Sequence, residues 1–284
     1  DADIAPADLQ AEVMALRNAE RRRMATAAKE AQVALRPELS PCQRVLLEIA
    51  ADAGVSSWLT AEPLAVNGFA LNKACFRDGL ALRYGWGIDG LPPTCVCGRD
   101  MSVDHALTCP TGGYPSLRHN ELRDVLVEVM TSAIPDVQTE PPLLPLDGEQ
   151  LHGATANRAA EARLDIRARG FWSPQQDAFF DVRVTHPSAS LLSRQEVLAQ
   201  ISRNEHQKKR AYLQRVVDVE RGSFTPLVFS TNGVCGTECS RALKNIVQLV
   251  VNKHSDLQYA VVMAQLRCKI AFVLLRWSTT EARD

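Results

Sequence analysis

The sequence predicts a mixed α/β fold for the part of the chain after residue 115, and two observations support this prediction. Hydrophobic periodicity there switches repeatedly between the spacing of helices and the spacing of strands. The resulting order is helix, three strands, helix, strand and further helices, which is typical of a sheet packed between helices. Before residue 91 helical spacing predominates, so a separate helical region is predicted to precede the sheet.

Each predicted element follows from its local pattern. A helix is predicted over 119–133 because apolar side chains recur on one of its faces. Alternating apolar and polar residues predict strands at 137–146 (proline-rich), 162–168, 178–184 and 224–230. Longer apolar periodicity predicts helices at 192–220, 238–253 and 257–277.

Residues 1–90 are predicted to be a helical linker region. Residues 7–36 contain much alanine and no glycine, which favours one exposed helix that a proline then ends. Its basic run at residues 21–23 leaves two interpretations open, a solvated linker helix and a nucleic-acid arm. Trp58 and Trp86 are predicted to be core anchors.

The charge balance excludes some classes of protein. The 284 residues include 32 Lys or Arg and 33 Asp or Glu, so the formal net charge is -1. This balance excludes a wholly basic polymer binder and an acidic disordered chain, but not a local basic surface. Residues 202–221 supply such a surface, with six basic residues against three acids.

Targeting signals are not expected in this chain. No run of about 18 apolar residues is present, so no transmembrane helix and no membrane partner are expected. The N-terminal residues are acidic and lack the apolar segment of a secretory signal. The chain begins without Met, and we expect it to be part of a longer polypeptide.

A cluster of cysteine and histidine lies between residues 91 and 115. Three cysteines and a histidine fall within fifteen residues: Cys95, Cys97, His105 and Cys109. Thiolate and imidazole are the donors that Zn²⁺ prefers, and four protein ligands indicate a structural ion with no open position. The alternative is three buried thiols and a surface histidine. The remaining cysteines are interpreted as structural.

Two short strands each carry an acidic residue at a central position. Alternation places Asp165 on the polar face of the first strand and Asp181, with Arg183, on the polar face of the second. If the strands form a hairpin, the two carboxylates converge, as a hard cation such as Mg²⁺ requires. Surface salt bridges are the common alternative. Asp181 is the more informative acid, because its apolar neighbours predict a buried strand.

The long helix contains nine consecutive polar residues from Ser202 to Arg210. They leave about two and a half turns without an apolar stripe. A solvated surface is one interpretation. The other is a cleft lining that faces phosphates, with Lys208, Lys209 and Arg210 supplying charge and Tyr212 a hydroxyl or a stacking face.

Taken together, several runs resemble the C-terminal part of reverse transcriptases of non-LTR retrotransposons that carry a restriction-enzyme-like endonuclease. The resemblance covers roughly residues 55–275. In that family a CCHC zinc knuckle precedes a PD-(D/E)XK nuclease domain. The runs are Ser57-Trp58-Leu59-Thr60, Phe76-Arg77-Asp78, Leu82-Arg83-Tyr84-Gly85-Trp86, Cys95-Val96-Cys97, Asp104-His105-Ala106-Leu107, Arg118-His119-Asn120 and Phe180-Asp181-Val182-Arg183.

The resemblance implies three parts: a helical linker region at 1–90, the knuckle at 91–115 and a restriction-like endonuclease domain at 116–284. It implies metal-binding acids at Asp165 and Asp181, with Glu140 assisting. The remaining implied site residues are Arg183, Lys208, Lys209 and Tyr212 for catalysis, and Arg118, His119 and Arg210 for nucleic-acid binding.

The sequence departs from the family pattern at two positions. Leu164 precedes Asp165 where the family has proline, and Arg183 stands where lysine is usual. Arginine does not act as a general base, because it stays protonated. A lysine of the long helix, Lys208 or Lys209, is therefore expected to serve the site.

The implied function is that of a DNA endonuclease domain of a retroelement polyprotein, dependent on Mg²⁺ or Mn²⁺. It nicks target DNA by phosphodiester hydrolysis to prime reverse transcription, which implies a nuclear location. DNA, RNA as a further candidate and the polymerase part of the same polyprotein are the expected partners. The alternative is a catalytically inactive nucleic-acid-binding or interaction module. A small-molecule enzyme ranks last, because no GxGxxG or Walker motif is present.

Overall fold

The structure is a computed structural model that describes residues 6–187 and 193–281. The chain divides into two compact units, Asp1–Arg44 and Val45–Asp284. The first unit contains helix α1 (Pro6–Leu35) and a short 3₁₀ helix at Arg36–Glu38. Every α1 side chain of described burial is exposed, as predicted for this segment.

The predicted order of elements is confirmed, and the chain is a mixed α/β protein. Before the sheet the structure contains α2 (Pro41–Ala50), α3 (Ser57–Thr60), a 3₁₀ helix (Ala65–Asn67), α4 (Lys73–Tyr84) and α5 (Val103–Ala106). It continues with α6 (Tyr114–Ala133), β1 (Val137–Thr139), β2 (Ile166–Arg169), β3 (Asp177–Thr185), α7 (Arg194–Asp218), β4 (Ser223–Ser230), α8 (Thr237–Lys253) and α9 (Tyr259–Glu281). None of the described helices is long and apolar enough to cross a bilayer.

The strand predicted at 137–146 is shorter in the structure and covers only β1. Pro141, Pro142 and Pro145 follow it and have no N–H to donate to a ladder. The strands lie in the order β1-β2-β3-β4 within one sheet. The first three strands pair antiparallel, whereas β3 and β4 pair parallel and are joined through α7.

Helices cover both faces of the sheet. Helices α6, α8 and α9 pack on one face, where Phe180 and Val182 of β3 enter the main core. Helix α7 covers the other face, where Phe179 packs with Val216. Strand β3 is therefore buried on both faces, so a polar side chain in its centre is enclosed by protein.

Residues 45–90 belong to the same compact unit as the sheet. Trp58 is buried against Phe272 and Leu275 of α9, and Phe69 stacks on Phe272 with ring centroids 4.9 Å apart. The two compact units divide at residue 44, and the boundaries at residues 90 and 115 stay predictions.

The prediction that Trp86 anchors the core is wrong, because its ring is 56% exposed. Gly85 ends α4 in the left-handed conformation, with φ at 63°. This turn leads the chain out of the helix, and the Trp86 ring stacks on Tyr84 with centroids 4.8 Å apart. Trp58, in contrast, is buried as predicted.

Helix α6 provides a test of the main core. Leu126 is fully buried on α6, whereas Leu117 on the same helix is 44% exposed. We expect Leu126→Ala to lower the free energy of unfolding by about 2–5 kcal/mol. Leu117→Ala is expected to change it by less than about 1 kcal/mol. Urea unfolding followed by circular dichroism measures both, and equal effects would contradict the packing described.

Candidate functional site

The four predicted zinc ligands converge in the structure. Cys95 and Cys97 lie in a tight turn, in which the N–H of Cys95 donates to the carbonyl of Arg99 at 2.8 Å. His105 lies in α5, and the N–H of Cys109 donates to the carbonyl of His105 at 2.8 Å. The three sulfurs and a ring nitrogen of His105 all lie within 4.8 Å of one another.

The spacing of these donor atoms suits a tetrahedral ion. The sulfurs of Cys95 and Cys109 are 3.8 Å apart, and Cys97 Sγ lies 3.2 Å from His105 Nε2. A tetrahedron with zinc–sulfur bonds of about 2.3 Å has edges of about 3.8 Å. All eight cysteines are free thiols. The cluster can therefore hold a metal such as zinc, with four protein donors and no position left open.

Two polar contacts attach this cluster to the rest of the fold. Arg118 of α6 is 2% exposed and donates to the carbonyl of Leu107 at 3.2 Å. His186, just after β3, lies 2.8 Å from Asp104 Oδ1 and 2.7 Å from Thr231 Oγ1. Burial lowers the pKa of His186, which favours its neutral ring. Arg118, expected to bind nucleic acid, is thus engaged inside the protein.

The two predicted metal-binding acids lie close together, Asp181 in β3 and Asp165 one residue before β2. Ile166 of β2 pairs with Phe180 of β3, and the N–H of Asp165 also donates to the carbonyl of Phe180 at 3.1 Å. The N–H of Val182 donates to Asp165 Oδ2 at 2.6 Å. The hairpin that the sequence suggested is therefore present, and it brings the two acids together.

A lysine of α7 and a histidine of α6 approach these acids. Lys208 Nζ lies 2.5 Å from Asp181 Oδ2, and His119 Nε2 lies 3.1 Å from Asp165 Oδ1. Asp181 is only 6% exposed. Burial raises the pKa of Asp181 and the Asp165 charge adds to the rise, whereas Lys208 opposes it. The structure thus places two acids and two basic groups around one point.

Other predicted site residues lie beside this cluster without joining the ion pairs. Arg183 Nη1 donates to Gln207 Oε1 of α7 at 2.7 Å. The ring of Tyr212 lies one helical turn from Lys208, whose Nζ is 6.0 Å from the ring centroid. The hydroxyl of Tyr212 accepts a hydrogen bond from Asn157 Nδ2 at 3.2 Å.

The structure does not bring every predicted residue into the cluster. Lys209 points to Glu238 of α8, with its Nζ 2.7 Å from Oε1. Glu140 follows β1 in a left-handed conformation, with φ at 51°, and its half-exposed carboxylate binds Arg123. The contact of Glu140 with the acidic pair is through the backbone: its N–H donates to the carbonyl of Asp165 at 2.9 Å. Arg210 is exposed on α7.

Four residues of these contacts are not predicted from the sequence: Arg123, Asn157 and Gln207 beside the acidic cluster, and His186 beside Asp104. Arg123 lies four residues after His119 on α6, so helical spacing was an available signal. Gln207 lies inside the polar stretch of α7. His186 gave no signal, because its contact with Asp104 depends on tertiary packing alone.

The chain is a mixed α/β protein in which one sheet and a Cys₃His cluster belong to the same compact unit. No protein-family model matches it, and no curated protein shows a significant match. A functional assignment therefore depends on the side chains that meet between β2, β3, α6 and α7.

The metal cluster can be tested by removing two of its ligands. We expect Cys95→Ser combined with Cys97→Ser to reduce bound zinc from about one ion per chain to nearly none, because two of four donors are lost. Cys42→Ser is the matched control, because Cys42 is exposed and lies outside the cluster in the sequence. Native mass spectrometry of the purified proteins gives the stoichiometry. Undiminished zinc in the double variant would rule out this ligand set.

Proposed function

We propose that this chain is the metal-dependent DNA endonuclease region of a retroelement polyprotein, with a restriction-like PD-(D/E)XK core. The observation that carries the proposal is the contact of Lys208 with Asp181, beside Asp165 at the start of β2. Two converging acids can hold a metal ion that activates water for phosphodiester hydrolysis, and a lysine beside them can stabilise charge on the phosphate.

The donor set of the acidic pair suits a hard divalent cation. Carboxylate oxygens are the ligands that Mg²⁺ and Mn²⁺ prefer. Asp181 is buried, and the neighbouring charge of Asp165 makes its ionised form more costly, so a cation at this point is electrostatically favoured. Asp165 and Asp181 would hold the ion, which when bound lowers the pKa of a water ligand and neutralises charge on the phosphate.

The surrounding side chains have separate roles in this proposal. Lys208 stabilises negative charge that develops on the phosphate, since its ammonium already lies against Asp181. His119 orients Asp165 through the 3.1 Å contact with Oδ1. Arg183, which Gln207 holds on the same face of β3, contributes positive charge and no general base.

The position of Lys208 bears on Arg183, which stands where the family that the sequence resembles has a lysine. The resemblance left open which lysine of the long helix compensates for the arginine. Lys208 lies within reach of the acids and Lys209 binds Glu238, so we assign the catalytic lysine to Lys208. An inactive binding module would keep the same ion pair without cutting DNA, so the nicking assay below separates it from the endonuclease.

The proposal includes a cellular setting. The substrate is target DNA in the nucleus, with RNA as a further ligand and the polymerase part of the polyprotein as a partner. The metal cluster at residues 95–109 braces the domain, because Arg118 and His186 attach it to α6 and to the end of the sheet.

Nicking of supercoiled plasmid tests the activity. We expect the protein with Mg²⁺ or Mn²⁺ to convert supercoiled DNA to the open circle. Asp181→Asn is expected to reduce the rate to that of the protein-free reaction, because an amide is a poor ligand for the ion. Asp218→Asn, the same change at an exposed position of α7, should keep the wild-type rate. A wild-type rate no higher than that of Asp181→Asn would overturn the proposal.

The two lysines of α7 can be separated in the same assay. Lys208→Gln is expected to lower the nicking rate by on the order of 10²–10³-fold, because a charge beside the reacting phosphate is lost. Lys209→Gln removes only a contact with Glu238 and is expected to lower it by less than about tenfold. Circular dichroism establishes that both variants fold. Equal losses would contradict the assignment of Lys208.

A further inference from the structure

A cleft of about 620 Å³ lies apart from the acidic cluster, at the carboxyl end of β4. The start of α7, the first half of α8 and the middle of α9 enclose it, and the loop at Asp52–Gly54 closes one side. Neither Asp165 nor Asp181 nor Lys208 lines the cleft. Its chemistry is therefore separate from that of the proposed endonuclease site.

Positive charge dominates the lining of this cleft. Four cationic side chains contribute to it, and Asp52 is the one carboxylate among the lining residues described. Asp52 is already occupied, because Arg194 binds it through two nitrogens at 2.7–3.0 Å. Arg241, Lys244 and Arg267 form no ion pair with any carboxylate in the described ranges 6–187 and 193–281. Three cationic side chains thus line the cleft without a carboxylate partner among the residues described.

The cations are held in place by the fold. Arg241 and Lys244 lie three residues apart on α8, so they share a face of that helix. The guanidinium of Arg241 lies over the ring of Trp172, 4.7 Å from its centroid. The stem of Arg267 passes closely over Gly54, where an added Cβ would lie 3.1 Å from Cγ. Like charges fixed together repel each other, and an anion would relieve that cost.

The floor of the cleft is apolar. Phe229 of β4, Leu243 of α8 and Met263 of α9 line it and are largely buried. A ligand that suits this cleft has an anionic group for the cationic rim and a flat, weakly polar part for the floor. A nucleotide unit has both, since its phosphate is anionic and its base has an apolar face.

We propose that this cleft binds a single-stranded segment of nucleic acid, with successive phosphates at Arg241, Lys244 and Arg267 and a base on the apolar floor. The choice of nucleic acid as the ligand rests on the proposed function. Helix α7 connects the two sites, because Leu198 lines the cleft and Lys208 contacts Asp181. These residues are about 15 Å apart along the helix.

Binding of fluorescein-labelled oligo(dT) of 15 nucleotides, followed by anisotropy without added divalent cation, tests the proposal. Arg241→Gln combined with Lys244→Gln is expected to weaken binding by on the order of tenfold or more at 0.1 M salt. The slope of log K against log salt should fall by about 1.4, since two phosphate contacts are lost. Lys244→Gln alone should lower the slope by about 0.7.

Lys253→Gln is the matched control, because Lys253 is exposed at the far end of α8 and does not line the cleft. It should bind oligo(dT) as the wild type does. Equal affinity and slope in the wild type and the double variant would overturn the proposal, as would the absence of wild-type binding. Inorganic polyphosphate of similar length serves as the competitor, and competition as strong as that of unlabelled oligo(dT) would overturn the role of the apolar floor.

The plasmid assay keeps this inference distinct from the proposed function. Loss of oligo(dT) binding in the double variant supports the cleft even if the wild-type protein nicks no DNA. If the wild type nicks DNA and the double variant binds oligo(dT) as the wild type does, the endonuclease is supported and the proposal that the cleft binds nucleic acid is overturned.

Discussion

The buried ion pair of Asp181 and Lys208 is the interaction on which the arrangement of the site depends. A carboxylate at the centre of a strand that is covered on both faces is costly unless a cation accompanies it. Lys208 supplies that cation at 2.5 Å, from the side of α7 that faces the sheet. The same orientation of α7 places Gln207 against Arg183, directs Lys209 towards Glu238 and leaves Arg210 in solvent. Four consecutive residues of the helix therefore have different surroundings, and only one of them meets the buried charge.

The Cys₃His cluster and the sheet are connected by polar contacts on both sides of α6. Arg118, at the start of α6, binds the carbonyl of Leu107, and one residue later His119 binds Asp165. His186 joins Asp104 of the cluster to Thr231 beyond β4. The first turns of α6 thus lie between the Cys₃His cluster and the acidic pair, and they contact both.

The order of the elements could be predicted because hydrophobic periodicity is a local property of the chain. The proximity of Asp165 and Asp181 was also predicted from a hairpin of the two runs, although Asp165 lies one residue before β2 and meets β3 through the N–H of Val182. Which of Lys208 and Lys209 meets the acids could not be predicted from the sequence. The side chains of neighbouring helix residues point about 100° apart, and the rotation of α7 is set by tertiary contacts. The partners of Glu140 and Arg118, namely Arg123 and the carbonyl of Leu107, are brought near by tertiary packing and could not be predicted from local patterns. Trp86 is exposed because the turn at Gly85 follows α4.

The parallel pairing of β3 with β4 has a consequence for the ion pair. A parallel pair needs a crossover, and here the crossover is α7, which itself carries Lys208. The two acids come from a local hairpin, whereas the lysine comes from the helix that joins the two parallel strands. A displacement of α7 from the sheet would therefore separate Lys208 from Asp181 and leave the hairpin of β2 and β3 connected.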